Sequence, residues 1–313
     1  MKLKPSRFGE TLIHMVGYVF GVNLMSNQDV QQLKKLRRVE VEVRPETRFP
    51  VPVSDGYSVY SALLSVLQNI DEDVSAHIHD APLGSLHSSG LLGVFGDSDR
   101  SFHKSVRPDE TYRLTLGIID PADTDIFQAL VNALVLEGDT IDLSHGELTV
   151  ESFESSNTTH QALLDEAGLL SDPTIDLSFE TATCIEEAGD VTTMFPHRAS
   201  VFSSLLGKWN RAAPSEFELD LSRADIEANV IEKPTPHTYD THSVLVNRVE
   251  NDDGETRNLF RQGFTGECSY EFKNASDSVR NAVTTLGLFA ECSGVGSAVA
   301  RGCGHISVEV RDP

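Results

Sequence analysis

The segment SAHIHDAPLGSLHSS, residues 75–89, holds three histidines, His77, His79 and His87, with Asp80 beside the second. An imidazole titrates near pH 6.5, so at neutrality it can take or deliver a proton as general base or general acid. His77 and His79 stand two positions apart, which puts them on one side of a strand and on opposite sides of a helix. The H-x-H-D spacing also offers donor types that zinc accepts. No supporting ligand pattern accompanies it, so proton transfer is the chemistry read here, with no metal and no other cofactor expected.

A second chemical feature lies near the end of the chain, in CSGVGSAVARGCGHISVEV, residues 292–310. Two glycine pairs, Gly294 with Gly296 and Gly302 with Gly304, bracket Ser297 and Arg301. Lacking a Cβ, such a loop brings backbone amides close to oxygen at positive φ, which is how loops cradle phosphate. Neither a P-loop nor a dinucleotide fingerprint fits, because both require a helix after the loop. Here the order is helix, loop, strand. Arg301 could hold a phosphate through two parallel hydrogen bonds.

These groups must be positioned by elements that the hydrophobic pattern reveals. RVEVEVR (38–44) alternates as a half-buried strand does, and Tyr57, Tyr60, Leu63, Leu64, Leu67 and Ile70 recur at helical spacing behind Ser54 and Asp55. Strands at 91–95, 111–119 and 147–153 and a helix at 121–134 complete a β-α-β-β-α-β order. That is the ferredoxin-like unit of an antiparallel sheet backed by two helices. The second half starts again with a strand at 174–185, a helix in 195–210, strands around 217–231, 242–249 and 262–272, a helix from Asp277 to Cys292 and a last strand at 305–310. The fold expected is therefore α+β, two tandem ferredoxin-like domains. Their limits are 25–155 and 173–313, with a polar linker at 156–172. Trp209 is read as a core aromatic.

The chain carries 48 Asp and Glu against 25 Lys and Arg, a formal net charge of -23. That balance ordinarily repels a polyanion. The acids are spread evenly, however, and only 8 of the basic residues are lysine, a coat that fits molar salt, as in halophilic archaea. There the Debye length falls to about 3 Å and net charge neither steers nor repels. The 4 cysteines lack C-x-x-C spacing, so neither a zinc site nor a disulfide framework is indicated and a reducing cytoplasm is expected. Lys2, Lys4 and Arg7 precede an apolar run that His14 and Asn23 interrupt, with no A-x-A site after it. The run is too short to cross a membrane, and residues 1–24 are read as an extension upstream of a start at Met25.

The glycine pairs with five residues between them, GFTGECSYEF upstream, a helix on the way in and an alternating strand on the way out resemble the C-terminal signature of the CRISPR repeat-processing endoribonucleases, the Cas-six family of the RAMP superfamily. VFSSLLGKWNRAAPSEFEL (201–219) is similar to the family's central segment. The resemblance runs from about residue 38 to the end and implies two tandem ferredoxin-like domains. It also implies metal-independent cleavage of CRISPR precursor RNA within repeats, by attack of a 2′-hydroxyl that leaves 2′,3′-cyclic phosphate and 5′-hydroxyl ends. The partners implied are repeat RNA and other subunits of a type I interference complex. The same superfamily includes RNA-binding scaffolds without catalysis, and this is the alternative.

Matching VPVSDGYSVYSALL to the family's first helix places His79 at the catalytic position, with His77 and His87 as alternatives. Gly294, Gly296, Ser297, Arg301, Gly302 and Gly304 become the RNA-binding loop. The sequence departs from the family pattern where an assisting tyrosine aligns with Leu64 and a lysine falls near Ser85. Tyr60 is the substitute, although its spacing with the leucines favours burial. Ser297 and Ala298 replace basic residues of the loop, and Cys303 an aromatic one.

Overall fold

The computed structural model describes residues 35–70, 86–120, 140–187, 191–250 and 256–312. The first strand, β1 (Lys35–Pro45), alternates as its sequence predicts: Val39, Val41 and Val43 are buried between outward Arg38, Glu40 and Glu42. It is followed by β2 (Phe49–Pro52), helix α1 (Gly56–Ile70), β3 (Leu86–Leu92), the short β4 (Gly96–Asp97) and β5 (His103–Val106). Then come β6 (Tyr112–Ile118), β7 (Thr140–Leu143) and β8 (Gly146–Thr159). The main sheet runs β3-β6-β1-β8-β7, antiparallel throughout. Counting β1, β3, β6 and β8 as the four strands of the repeat, the spatial order is 4-1-3-2, that of a ferredoxin-like sheet. Strands β2, β5 and β4 form a small separate sheet. The helix expected at 121–134 lies outside the described residues.

The segment read as a polar linker is built into the structure. Strand β8 continues to Thr159, still paired with β1, and Thr159 caps helix α2 (His160–Gly168) by accepting from the Ala162 amide at 3.1 Å. Leu163 of α2 is buried in the second domain's core, with Leu164 packed against it. Its polar composition reflects the exposed faces of a long strand and a short helix.

The second domain contains β9 (Thr174–Thr183), the short β10 (Ile185–Glu186) and β11 (Thr192–Thr193), and helix α3 (Arg198–Ala212). After these come helix α4 (Arg223–Asn229), β12 (Val230–Pro234), β13 (Asp240–Glu250), β14 (Thr256–Phe272), helix α5 (Asp277–Ser293) and β15 (Ile306–Arg311). The sheet order β12-β14-β9-β15, with β13 paired to β14, is again ferredoxin-like.

The strand expected around 217–231 is corrected. Phe217, Leu219 and Leu221 do alternate and pack on the core, but no strand partners them. Asn210 clamps the segment instead: its amide donates to the Leu219 carbonyl at 3.0 Å and its carbonyl accepts from the Leu219 amide at 2.9 Å. Trp209, fully buried, donates from Nε1 to the Phe217 carbonyl at 2.8 Å. A capping box formed by Ser222 and Asp225 then starts α4.

Candidate functional site

The two domains meet where the glycine loop of the second seats on the start of α1 in the first. At Gly56, the first residue of α1, a Cβ would lie 2.3 Å from both the Arg301 carbonyl oxygen and the Gly302 Cα. Both partners must therefore be glycine for the backbones to approach this closely. The other loop glycines are equally confined. A Cβ at Gly294 would lie 2.8 Å from the His87 ring, one at Gly296 would lie 2.4 Å from the Cys184 oxygen, and one at Gly304 would lie 1.9 Å from the Val295 oxygen. All four have positive φ, between 59° and 84°.

Amides at both ends of the loop are committed as well. Gly294 donates to Ala290, Val295 to Gly304, Ser297 to Cys184 and Gly304 to Ala182, all at 2.7–3.0 Å. Gly296 donates to the Ser204 hydroxyl at 3.0 Å and His305 to that of Thr181 at 2.9 Å. Lys208 of α3 caps the end of α5, donating to the Ser293 and Gly294 carbonyls at 3.1 and 2.8 Å. Enclosure of its ammonium brings the Lys208 pKa down to about 7. At Gly294, Gly296 and Gly304 the amides read as a phosphate cradle bond to protein, and Gly302 lets backbone touch backbone across a domain joint.

Side chains predicted from the loop also find protein partners. Arg301 donates from Nη1 to the Val246 carbonyl at 2.8 Å, and its guanidinium lies 5.6 Å from the centre of the Tyr60 ring. The Ser297 hydroxyl donates to the Cys184 carbonyl at 2.9 Å and accepts from Arg261 Nη1 at 3.3 Å. Tyr60 is half-buried. Burial raises its pKa above the ordinary 10 against the opposing pull of Arg301, so at neutral pH the phenol keeps its proton and can donate it in a hydrogen bond.

His87 is placed at the domain joint. It lies in β3, wholly buried, with its ring stacked on His305 at 5.1 Å between centroids and 18° between planes. Burial first, and then His305, Lys208 and Arg38, hold its pKa well below 6.5. The ring is enclosed between the domains, away from solvent. His77 and His79 lie in the connection from α1 to β3, outside the described residues. Among the described residues no cluster of three or more His, Cys, Asp or Glu could hold a metal ion.

Asp55, just before α1, is buried with its carboxylate 2.8 Å from the Lys104 ammonium, and it accepts from the Leu91 amide at 2.9 Å. Its place directly before the helix suggests a helix cap. It instead ties the start of α1 to β3 and β5, and so fixes the surface on which the glycine loop rests.

Residues 177–306 match the family model of the CRISPR-associated endoribonuclease Cas6. No curated protein sequence matches the chain. Among solved structures, a Cas6 product complex superposes with a TM-score of 0.64 at 18% identity, covering 88% of this chain and 100% of that one. Thermus thermophilus Cas6 does so with a TM-score of 0.59 at 17% identity, covering 88% and 98%. A RAMP protein that binds different RNA substrates gives a TM-score of 0.56 at 12% identity, covering 87% and 99%. Among the described residues no helix is long and apolar enough to cross a membrane. The chain is thus Cas6-like, in the sequence of its C-terminal domain and in the fold of both domains.

Proposed function

We propose that this chain is an endoribonuclease that cuts CRISPR precursor RNA within its repeats. The carrying observation is that the segment matching the Cas6 model includes a loop seated on the start of α1, the helix after which His79 follows in sequence. Solved Cas6 structures with a product and with a substrate mimic, both of this fold, support repeat RNA as the partner.

In this reading His79 removes the proton of the 2′-hydroxyl beside the scissile phosphate, with His77 as the alternative base. The 2′-oxygen bonds to phosphorus, and the bond to the 5′-oxygen breaks. That oxygen takes a proton from a general acid, solvent water in this reading, and leaves as a hydroxyl, and the other product ends in a 2′,3′-cyclic phosphate. No metal is required. Tyr60, a neutral phenol against Arg301, supplies a hydrogen bond to charge developing on the phosphate. The glycine loop holds this arrangement together, with Arg301 bonded to the Val246 carbonyl and lying over the Tyr60 ring.

The test is cleavage of end-labelled repeat RNA in high KCl with a chelator present, mapping the product ends. Wild type is expected to give cyclic phosphate ends, and His79→Ala to lose roughly 10²- to 10⁴-fold in rate while still binding RNA. Folded wild type that binds repeat RNA without cutting it would leave a scaffold. Equal cleavage by both would move the base to His77.

A further inference from the structure

A cleft of about 590 Å³, lined by polar and apolar groups alike, runs along α1 and is bordered by β2, the β7–β8 turn and Arg248 of β13. That volume accommodates a nucleotide. Its polar groups are those that meet a sugar–phosphate chain. His103 and His145 face each other across 6.4 Å between ring centroids. Arg100 donates to His145 Nε2 at 2.6 Å, which leaves Nδ1–H of that ring as a donor. His103 Nδ1 lies 2.8 Å from the Ser101 carbonyl and so carries the proton, which leaves Nε2 as an acceptor when the ring is neutral. Ser61 on the cleft wall donates back to the Tyr57 carbonyl at 2.9 Å and presents its lone pairs outward. Asp142 also lines the cleft and opposes an anion.

Beside His103 stands Phe102, with its side chain 89% exposed and its backbone at φ 60°. A bulky residue in the left-handed region costs about 1–2 kcal/mol. A phenyl ring in water recovers none of that by burial. The turn is nonetheless fixed in place, since the Phe102 carbonyl accepts from the Val53 amide at 3.0 Å and His103 donates to the Arg100 carbonyl at 3.2 Å. The conformation holds an aromatic face out to solvent next in the chain to His103, which lines the cleft together with His145 and Arg248.

We infer that this surface binds single-stranded RNA, with a base stacked on Phe102 and the adjoining phosphate held by Arg248 and the Arg100–His145 pair. The inference rests on the RNA-processing reading and adds to it a contact outside the joint between α1 and the glycine loop. Stacking suits a chain of net charge -23. It acts at contact range and is indifferent to base identity, whereas attraction between charges is offset by the acidic coat and screened by salt.

The experiment uses the full chain, freed of RNA, with two fluorescein-labelled probes, an eight-nucleotide oligouridine and the intact repeat. Anisotropy is read over a KCl series for wild type, Phe102→Ala and Arg248→Ala, with melting curves as fold controls. Support is a loss of roughly 5- to 100-fold in oligouridine affinity for Phe102→Ala, and a shallower salt dependence for Arg248→Ala. Wild-type binding of both probes that neither variant alters would overturn the cleft and leave repeat processing standing. Failure of wild type to bind either probe would overturn the RNA-processing reading and this inference with it. A shift to a smaller species in gel filtration for Phe102→Ala, with RNA affinity intact, would make the ring a protein contact and overturn the inference.

Discussion

The glycine loop and the β4–β5 turn both hold backbone at positive φ, and they put it to opposite uses. In the glycine loop the absent side chains let Gly302 meet Gly56 and Gly304 meet the Val295 carbonyl, and the amides bond within the protein. In the β4–β5 turn the residue at φ 60° is a phenylalanine whose ring meets solvent. Positive φ at the glycines accompanies internal contact and serves folding, whereas at Phe102 it leaves an aromatic in solvent, the observation from which an RNA contact is inferred. The loop with the familiar phosphate-binding composition is the inward-facing one.

That contrast is most severely broken at Gly304 and Gly302. Alanine at either position places a Cβ on backbone atoms and must also adopt φ 68° or 82°. We expect losses of about 2–4 kcal/mol in urea unfolding, with Gly302→Ala loosening the contact with Gly56 and raising protease sensitivity there. Lys104→Ala comes next. It strands the buried Asp55 carboxylate and removes the ammonium 3.6 Å from the Phe95 ring centre. About 2–3 kcal/mol should be lost, read as a lower melting temperature.

The joint also has a pH dependence whose sign is fixed. Burial, followed by Arg38 and Arg113, holds the His305 pKa at about 3, and His87 is likewise depressed. An unfolded histidine titrates near 6.5, so between there and about 3 the unfolded chain binds more protons than the folded one. Stability therefore falls as pH drops below about 6.5 and continues to fall toward 3. His305→Gln should flatten the acid limb of a stability–pH curve measured with urea. The smallest effect is expected at Phe102→Gly, which relieves a positive φ and removes no internal packing. It should raise stability by roughly 0.5–1 kcal/mol.

Periodic elements were legible in the sequence: β1 from Val39, Val41 and Val43, and α1 from its leucine spacing. The paired ferredoxin-like topology followed from element order. Alternation misled at Phe217, Leu219 and Leu221, because an extended segment clamped by one asparagine side chain shows the same period as a paired strand. The docking of Gly56 on Gly302 was hidden because each glycine has an adequate local explanation, one at a helix start and one in a loop. Only the fold brings them together. His87 looked like its neighbours His77 and His79 because burial by His305, which is distant in sequence, leaves no local mark. Phe102 sits in SDRSFHK, too short a run to have a period.

Hydrogen–deuterium exchange of the full chain, with and without repeat RNA, tests most directly whether the glycine loop holds the domains together while other surfaces bind. The account predicts slow exchange at Gly294–Ser297 and Cys303–His305 in the free protein, unchanged by RNA, with new protection in residues 98–103 and 71–85. Rapid exchange of the loop amides in the free protein, and their protection when RNA is added, would contradict it and restore the loop as a phosphate cradle.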